Sequence, residues 1–401
     1  MDFAFTPEDE AFRTELRDWL ATNIADFNAS EGSEVDAELS SWERQYERRR
    51  RWQRRMADAG WAAINWEKRW GGREATIMQN VIYSEEMAKA RAPGVYNANG
   101  IWQIGPMINR WAEEGPQKEE WLRSILYAEH HWCQGFSEPE AGSDLANLRL
   151  AAIRDGDDYV LNGQKIWCTT AHIAKWGLFL VRTDPTAIER GAQHEGITAL
   201  IVDLEVPGVE VSTIRDIVDE HSFCLVTFTD AHVKASYRLG DEGAGWLVAM
   251  GTLGHERVGT SGLSITMKSD LDHIVESVKK HNPGALSDPD LRDRIARTYT
   301  QLELTRLLNY RALSKILAGE KNWPEVPIAK LQWSSLAQTI AELNVDLLGP
   351  LGLLAKGGPD AVDKGMWTRL YSYQRYTSIG AGTTQVQKNI IADKAIKLPR
   401  R

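Results

Sequence analysis

Cysteine is scarce in this 401-residue chain, which has only Cys133, Cys168 and Cys224. An odd number without a CxxC pair offers neither a disulfide framework nor a structural zinc set, and it fits a reducing compartment. The three are expected to be buried small hydrophobes. Long apolar runs are missing too, since no stretch reaches the roughly 18 residues that cross a bilayer. The first residues carry Glu8, Asp9 and Glu10 where a signal peptide needs a basic start. A cytoplasmic protein without a membrane span is expected. Positive charge is also not in excess: 47 Lys and Arg against 56 Asp and Glu give a formal charge of -9. That balance argues against a nucleic-acid partner. The sequence shows no internal repeat, no low-complexity tract and no histidine pair at metal-ligand spacing.

The chain exceeds the size at which one core keeps growing, so two or three domains are expected. From Thr6 to about Glu129 apolar residues recur at helical spacing, as in Phe12, Leu16, Trp19 and Leu20, with Thr6 as an N-cap. The stretch Trp42 to Arg55 is dense in Arg and Glu, and its mixed signs read as a solvated helix face. Around His131 the pattern changes to short apolar or alternating runs: Leu148 to Ile153, Tyr159 to Leu161, Trp176 to Val181, Thr198 to Val202 and Leu225 to Phe228. These read as strands, with Asp155-Gly156-Asp157-Asp158 as a hairpin turn and Asn162-Gly163 beginning another tight turn. After Gly240 to Gly245 the helical spacing returns and runs to about Lys394. The expected class is α+β with segregated layers: helical 1–130, β 131–238, helical 239–401.

Two segments carry the chemistry. In Trp132-Cys133-Gln134-Gly135-Phe136-Ser137-Glu138-Pro139-Glu140-Ala141-Gly142-Ser143-Asp144, small and hydroxyl residues stand where helix gives way to strand. Glycine permits close approach of a planar or phosphorylated ligand, and Ser137 and Ser143 offer hydrogen bonds to it. An ordinary Gly-Ser turn explains the spacing equally well. In Asn162-Gly163-Gln164-Lys165-Ile166-Trp167-Cys168-Thr169-Thr170-Ala171 a strand ends in an aromatic plane followed by two hydroxyls. That tryptophan either flanks a flavin or fills a core.

Taken with Gly60-Trp61, Trp66 and Trp70-Gly71-Gly72 upstream and Gly382-Thr383-Thr384-Gln385-Val386-Gln387-Lys388-Asn389-Ile390-Ile391 downstream, the order of motifs resembles the acyl-CoA dehydrogenase family over nearly the full length. The resemblance implies a helical N-terminal domain, a small β-barrel or sandwich, and a C-terminal four-helix bundle. It also implies FAD held by Gln134, Phe136, Ser137, Gly142, Ser143, Trp167 and Thr169, with Gly349, Gly352, Gly382, Thr383 and Gln385 completing the site. In that family FAD lies between the β domain and the bundle, and a neighbouring subunit completes its site. A homotetramer, or a heterotetramer with a related subunit, is therefore expected. The implied reaction removes a proton α to an acyl-CoA thioester and a hydride from the β carbon, and an electron-transfer flavoprotein takes the electrons. Such chemistry needs a carboxylate base, donors at the thioester oxygen and a dry slot.

The chain also departs from that pattern. Where many members carry the catalytic glutamate, it reads Ile379-Gly380-Ala381-Gly382. Ala381 cannot take a proton, but its backbone N–H remains as a donor to the thioester oxygen. The expected base is Glu256 in Gly254-His255-Glu256-Arg257-Val258-Gly259, which resembles the alternative position of branched-chain and long-chain members, with Arg257 orienting it. On the residues alone, Glu256 is equally well an ordinary ion-pair partner of Arg257. Gly251, Gly254, Gly259 and Gly262 in one helical stretch imply close approach by some group, since each costs roughly 1 kcal/mol against alanine. The family's Arg-x-x-Phe-Gly stretch is replaced by Lys279-Lys280-His281-Asn282-Pro283-Gly284, and Asp346 and Pro350 stand where glutamine and glycine are usual. An acidic residue near pyrophosphate is unfavourable. Small residues at Gly380 and Ala381 imply room for a branched or polycyclic acyl group. The competing expectations are an acyl-CoA oxidase, a flavin monooxygenase, and a non-catalytic partner subunit of a heterotetramer.

Overall fold

The computed structural model describes residues 5–32, 42–255, 260–320 and 325–399. Along the chain, helices α1 (Pro7–Glu31), α2 (Trp42–Asp58), α3 (Ile77–Lys89), α4 (Gly105–Trp111) and α5 (Pro116–Leu126) come first. Strands β1 (His131–Gly135), β2 (Ala151–Asp155), β3 (Asp158–Thr169) and β4 (Ala174–Arg182) follow, then the short α6 (Thr186–Glu189). Strands β5 (Ile197–Asp203), β6 (Val209–Ile214), β7 (Phe223–Lys234) and β8 (Arg238–Leu239) complete the sheet. Helices α7 (Gly245–His255), α8 (Thr260–His281), α9 (Pro289–Leu317), α10 (Glu325–Leu348), α11 (Met366–Tyr373) and α12 (Thr384–Ile390) close the chain. The class is the expected succession of helices, sheet and helices. Contacts divide it into two compact units: a helical unit from the described parts of 1–41, 76–92 and 257–401, and a sheet unit from those of 42–75 and 93–256.

In the sheet unit, the strands form one eight-stranded mixed sheet in the order β6-β7-β3-β2-β4-β5-β8, with β1 parallel to β4. Alternation in β3 buries Tyr159 and Leu161, and this face meets Phe179, Val181, Leu200, Val226 and Phe228 in one core. Cys133, Cys168 and Cys224 sit in that core as free, buried thiols, as expected. The Asp155–Asp158 hairpin is where it was expected. Two strand expectations need correction. Leu148 to Leu150 precede β2 rather than belonging to it. Asn162-Gly163 does not begin a turn: it lies within β3 at a register shift against β7, where Gly163 has φ +136 and Asn162 exchanges hydrogen bonds of 3.0 Å with Asp230. A bulge uses the same residue chemistry as a tight turn, because both need backbone freedom at one position. The expected solvated face of α2 is present at Glu43, Arg44, Glu47 and Arg51, which are exposed, but the helix also has a buried face. Arg48 is 2% exposed, Gln53 donates to Ile125 and Leu126 carbonyls, and Arg50 and Arg54 donate to Ala128 and Tyr127 carbonyls. These side chains satisfy the carbonyls left open at the end of α5.

In the helical unit, α1 starts at a capping box in which Thr6 and Asp9 bond each other's backbone N–H. Apolar residues three and four apart on α8, α9 and α10 bury Leu271, Ile274, Val278, Leu302, Leu336, Ile340, Leu343 and Leu347 around Trp367. No helix among the described residues is long and apolar enough to cross a membrane.

Candidate functional site

The sheet unit brings the two motif segments, Trp132–Asp144 and Asn162–Ala171, together at one end of β3. Gln134, one residue before the end of β1, is half-buried, Phe136 is buried and Ser137 half-buried, with Gly142 and Ser143 exposed on the loop beyond. A side chain at Gly142 would meet nothing within 4 Å, so that part of the loop is open. The backbone N–H of Ile166 donates to the Ser137 carbonyl at 2.9 Å, which joins this loop directly to β3. One residue on, Trp167 takes φ +62, a left-handed conformation that residues with a side chain adopt at a cost. Its indole is 56% exposed, with the edge of Phe223 6.0 Å away. Trp167 is the one exposed tryptophan among the described side chains. Thr169, two residues further on, is also exposed. Flat apolar surface and polar donors together suit a planar ligand with a polar edge.

Thr170, also left-handed at φ +56, closes this turn. Its N–H donates to the Ser222 carbonyl at 2.7 Å, its hydroxyl to the Thr169 carbonyl at 2.7 Å, and the hydroxyl oxygen then accepts from His131 Nε2 at 2.7 Å. Burial pulls the His131 pKa down to about 3, so the imidazole is neutral at pH 7. A neutral donor suits a hydroxyl that has already given its proton away.

In the helical unit, the predicted residues fall at two places. Gly349 (φ +59) and Gly352 turn the chain at the end of α10, and a Cβ on Gly352 would lie 2.9 Å from Val345 Cα. Gly352 is thus required by backbone packing. Asp346, half-exposed, is paired with Arg294 at 2.8 Å, so its charge has an internal partner. Asn282, in the segment lacking the usual arginine, donates to the Leu347 carbonyl at 2.9 Å. The second place is the loop before α12. Ala381 has φ +53, its carbonyl accepts from Gln387 Nε2 at 3.1 Å, and its N–H has no acceptor among the described residues. From α10, Lys330 Nζ donates to the Thr377 carbonyl at 2.8 Å and Gln338 to the Gln374 carbonyl at 3.2 Å, so the turn leading into this loop is held. The Thr383 hydroxyl caps α12 through the Val386 N–H, Gly382 is left-handed at φ +86, and Gln385 is exposed.

Glu256, Arg257 and Gly259 lie outside the described residues. The close approach expected at the glycine cluster is accounted for at Gly251 by core packing, since a Cβ there would lie 2.8 Å from Met107 Sδ. Sequence reasoning quoted Glu138 and Lys165 within its motifs but assigned them no role, and it passed over Arg182 and His131. Lys165 is fully buried and paired with Glu138 at 2.7 Å. A lysine and a glutamate inside two strand-end motifs were the available signal, masked by the usual exposure of both residue types.

The chain matches the family models for the N-terminal, middle and C-terminal domains of acyl-CoA dehydrogenase over residues 6–129, 133–231 and 243–396. It is 35% identical over 411 residues to acyl-CoA dehydrogenase IpdE1 of Mycolicibacterium smegmatis, with 98% of each chain covered. Among solved structures it resembles the ChsE4-ChsE5 complex from Mycobacterium tuberculosis (TM-score 0.83, 30% identity, 100% of both chains). It also resembles the Tcur3481-Tcur3483 steroid ACAD (TM-score 0.84, 26% identity, 100% of both chains). Matched along its whole length in sequence and in fold, the chain belongs to the acyl-CoA dehydrogenase family, oxidoreductases that act on the CH–CH bond of acyl-CoA thioesters.

Proposed function

We propose that this chain binds FAD and carries out α,β-dehydrogenation of an acyl-CoA, passing the electrons to an electron-transfer flavoprotein. The family is FAD-dependent, and the residues present fit the group. The observation that carries the reading is Trp167, whose indole is exposed while Trp132 and Trp176 nearby are buried. An exposed indole beside Thr169 and the open Gly142-Ser143 loop matches the shape and edge chemistry of an isoalloxazine. FAD, when bound, supplies the acceptor for the hydride leaving the β carbon. Gln134, Phe136, Ser137, Gly142, Ser143, Trp167 and Thr169 hold it in this reading, and Gly349, Gly352, Gly382, Thr383 and Gln385 are the proposed cofactor-binding residues of the helical unit.

Glu256 removes the α proton, with Arg257 keeping its carboxylate ionised and oriented. The Ala381 N–H donates to the thioester oxygen, which stabilises charge as the α carbon loses its proton. Its lack of any acceptor in the described structure supports that role. The three-domain division at 130 and 238, and a cytoplasmic setting consistent with three free thiols, belong to the same proposal. A ring-bearing acyl group is the proposed substrate, supported by the small residues at Gly380 and Ala381 and by the steroid ACAD among the structural relatives. The test is whether the purified protein, together with a related subunit, is yellow and bleaches anaerobically with acyl-CoA. Glu256→Gln should keep the colour and lose bleaching by at least 10³-fold, in line with loss of a positioned base. Near-normal bleaching would remove Glu256 from the mechanism.

A second feature favours a heterotetramer over a homotetramer. Asp346 is an acceptor-only carboxylate that engages Arg294, and the Asn282 amide donates to the α10 carbonyl of Leu347, so this turn offers little donor chemistry to a phosphate from a neighbouring subunit. A related subunit supplying that part of the site completes it. The ChsE4-ChsE5 and Tcur3481-Tcur3483 structures are two-component assemblies. Co-purification with a related subunit, and colour only in the mixed oligomer, is the expected result. A flavin-loaded, active homotetramer would exclude this reading.

A further inference from the structure

Three charged groups lie buried beneath the Phe136–Leu150 loop: Lys165 at 0%, Arg182 at 4% and Glu138 at 8% exposure. Lys165 Nζ donates to the Phe136 carbonyl at 3.0 Å and to Glu138 Oε1 at 2.7 Å. Glu138 also accepts from the Leu150 N–H at 2.8 Å and, through Oε2, from the Arg149 N–H at 2.6 Å. Arg182 on β4 donates to the Leu148, Gln193 and Ala146 carbonyls at 3.2, 2.6 and 2.6 Å.

We propose that Lys165, acting through Glu138 and the Phe136 carbonyl, is a positioning residue that holds the Ser137–Ser143 loop at a fixed distance from the Trp167–Thr170 turn. This inference rests on the FAD reading for its functional meaning. A buried ion pair is a poor source of stability, because desolvation offsets most of the attraction and an apolar pair of the same volume serves as well. Direction is what the ions add. Lys165 stands two residues before Trp167 on the same strand, so its bonds reference the loop to the indole. Glu138 then ties the far end of the loop, at Arg149 and Leu150, to the same ammonium. Arg182 pins the carbonyls just before that end. Residues 139–145 are left between the anchored ends, with Gly142 and Ser143 exposed. A ligand bridging Ser143 and Trp167 therefore meets donors that are already in place, without a cost of ordering the loop. Burial pulls the Lys165 pKa down to about 8, held from falling further by Glu138, so the ammonium persists at neutral pH.

The test compares the full chain, with its partner subunit if colour requires one, against Glu138→Leu/Lys165→Met and against Glu138→Gln. The double substitution removes both charges together and so avoids an uncompensated ion in the core. Because it also leaves the Arg149 and Leu150 N–H groups and the Phe136 carbonyl without these partners, it should melt below the parent, bind FAD at least tenfold more weakly, and leave residual bound flavin more fluorescent with a shifted visible band. In the apo chain, the Arg149 and Leu150 amides should exchange hydrogen at least tenfold faster. Glu138→Gln should shift binding and exchange in the same directions, and it decides the matter if the double variant does not fold. Parental FAD affinity, spectrum and amide exchange in a folded variant would overturn the inference. The exchange measurement needs no cofactor. A parent that never binds FAD, with accelerated Leu150 exchange in the variants, would sink the FAD reading and leave the loop-holding role standing.

Discussion

Asp363 offers a way to weigh one charge in the helical unit. It sits at φ +47, followed by Lys364 at φ +57 and Gly365 at φ +86, so three left-handed residues lead into α11. Its Oδ2 faces His273 Nε2 at 3.5 Å and accepts from Ser277 Oγ at 2.6 Å and Trp367 Nε1 at 2.7 Å. The His273 interaction first, then the Ser277 and Trp367 donors, pull its pKa down to about 2 against the opposing effect of burial. An ordinary aspartate titrates near 4, so at about 1.4 kcal/mol per pKa unit the charge is worth about 2–3 kcal/mol. Because the folded pKa is the lower one, this stability is complete above about pH 4 and is lost as pH falls toward 2. Asp363→Asn isolates that charge, since asparagine tolerates the left-handed backbone and its oxygen accepts the same two donors. Urea unfolding at pH 7 should show the variant less stable by about 1–2 kcal/mol, with the gap closing as pH drops below 4. Equal stability at pH 7, or a gap constant from pH 7 to pH 3, would refute the reasoning.

Trp167→Ala removes an exposed ring rather than a core one, so the melting temperature should hold while FAD affinity falls at least tenfold, read by flavin titration. Ala381→Gly keeps the backbone N–H and relieves a left-handed residue, so stability should change by less than about 1 kcal/mol and turnover by little. Ala381→Val places a β-branched residue at the same angle and should cost more than about 1 kcal/mol and raise the acyl-CoA KM. Gly352→Ala drives a Cβ to 2.9 Å from Val345 Cα, and thermal unfolding should register a loss of about 1–3 kcal/mol.

Periodicity was enough to place the long helices and the central strands, because each repeats its apolar face over several turns or pairs. The short edge elements β1, β6 and β8 escaped it. In β6 no residue is fully buried, and β8 is two residues long, too short to show a period. Asn162-Gly163 was misread because a bulge and a turn ask for the same backbone freedom, and only pairing with β7 tells them apart. On the site, the exposure of Trp167 could not be read from its own strand alternation. The bulge at Gly163 and the left-handed turn at Trp167 interrupt that alternation. The buried pair Lys165–Glu138 was hidden for another reason: charged residues read as surface until a partner from 27 positions away is known.

The helical unit is assembled from three separated stretches of chain, 1–41, 76–92 and 257–401. Helices α1 and α3 bury Leu16, Leu20, Val81 and Ile82 in it, yet the chain that joins them there begins about 160 residues beyond α3. At a synthesis rate of roughly 5–20 residues per second, those apolar faces emerge from the ribosome about 8–30 s before their C-terminal partners exist. During that interval the sheet unit can close around its own core, while α1 and α3 have only each other. A nascent chain whose sheet unit has just cleared the ribosome, with the residues from 257 on still inside it, should therefore present a folded sheet unit and an open apolar surface on α1 and α3, which is the form of this protein that a ribosome-associated chaperone would meet.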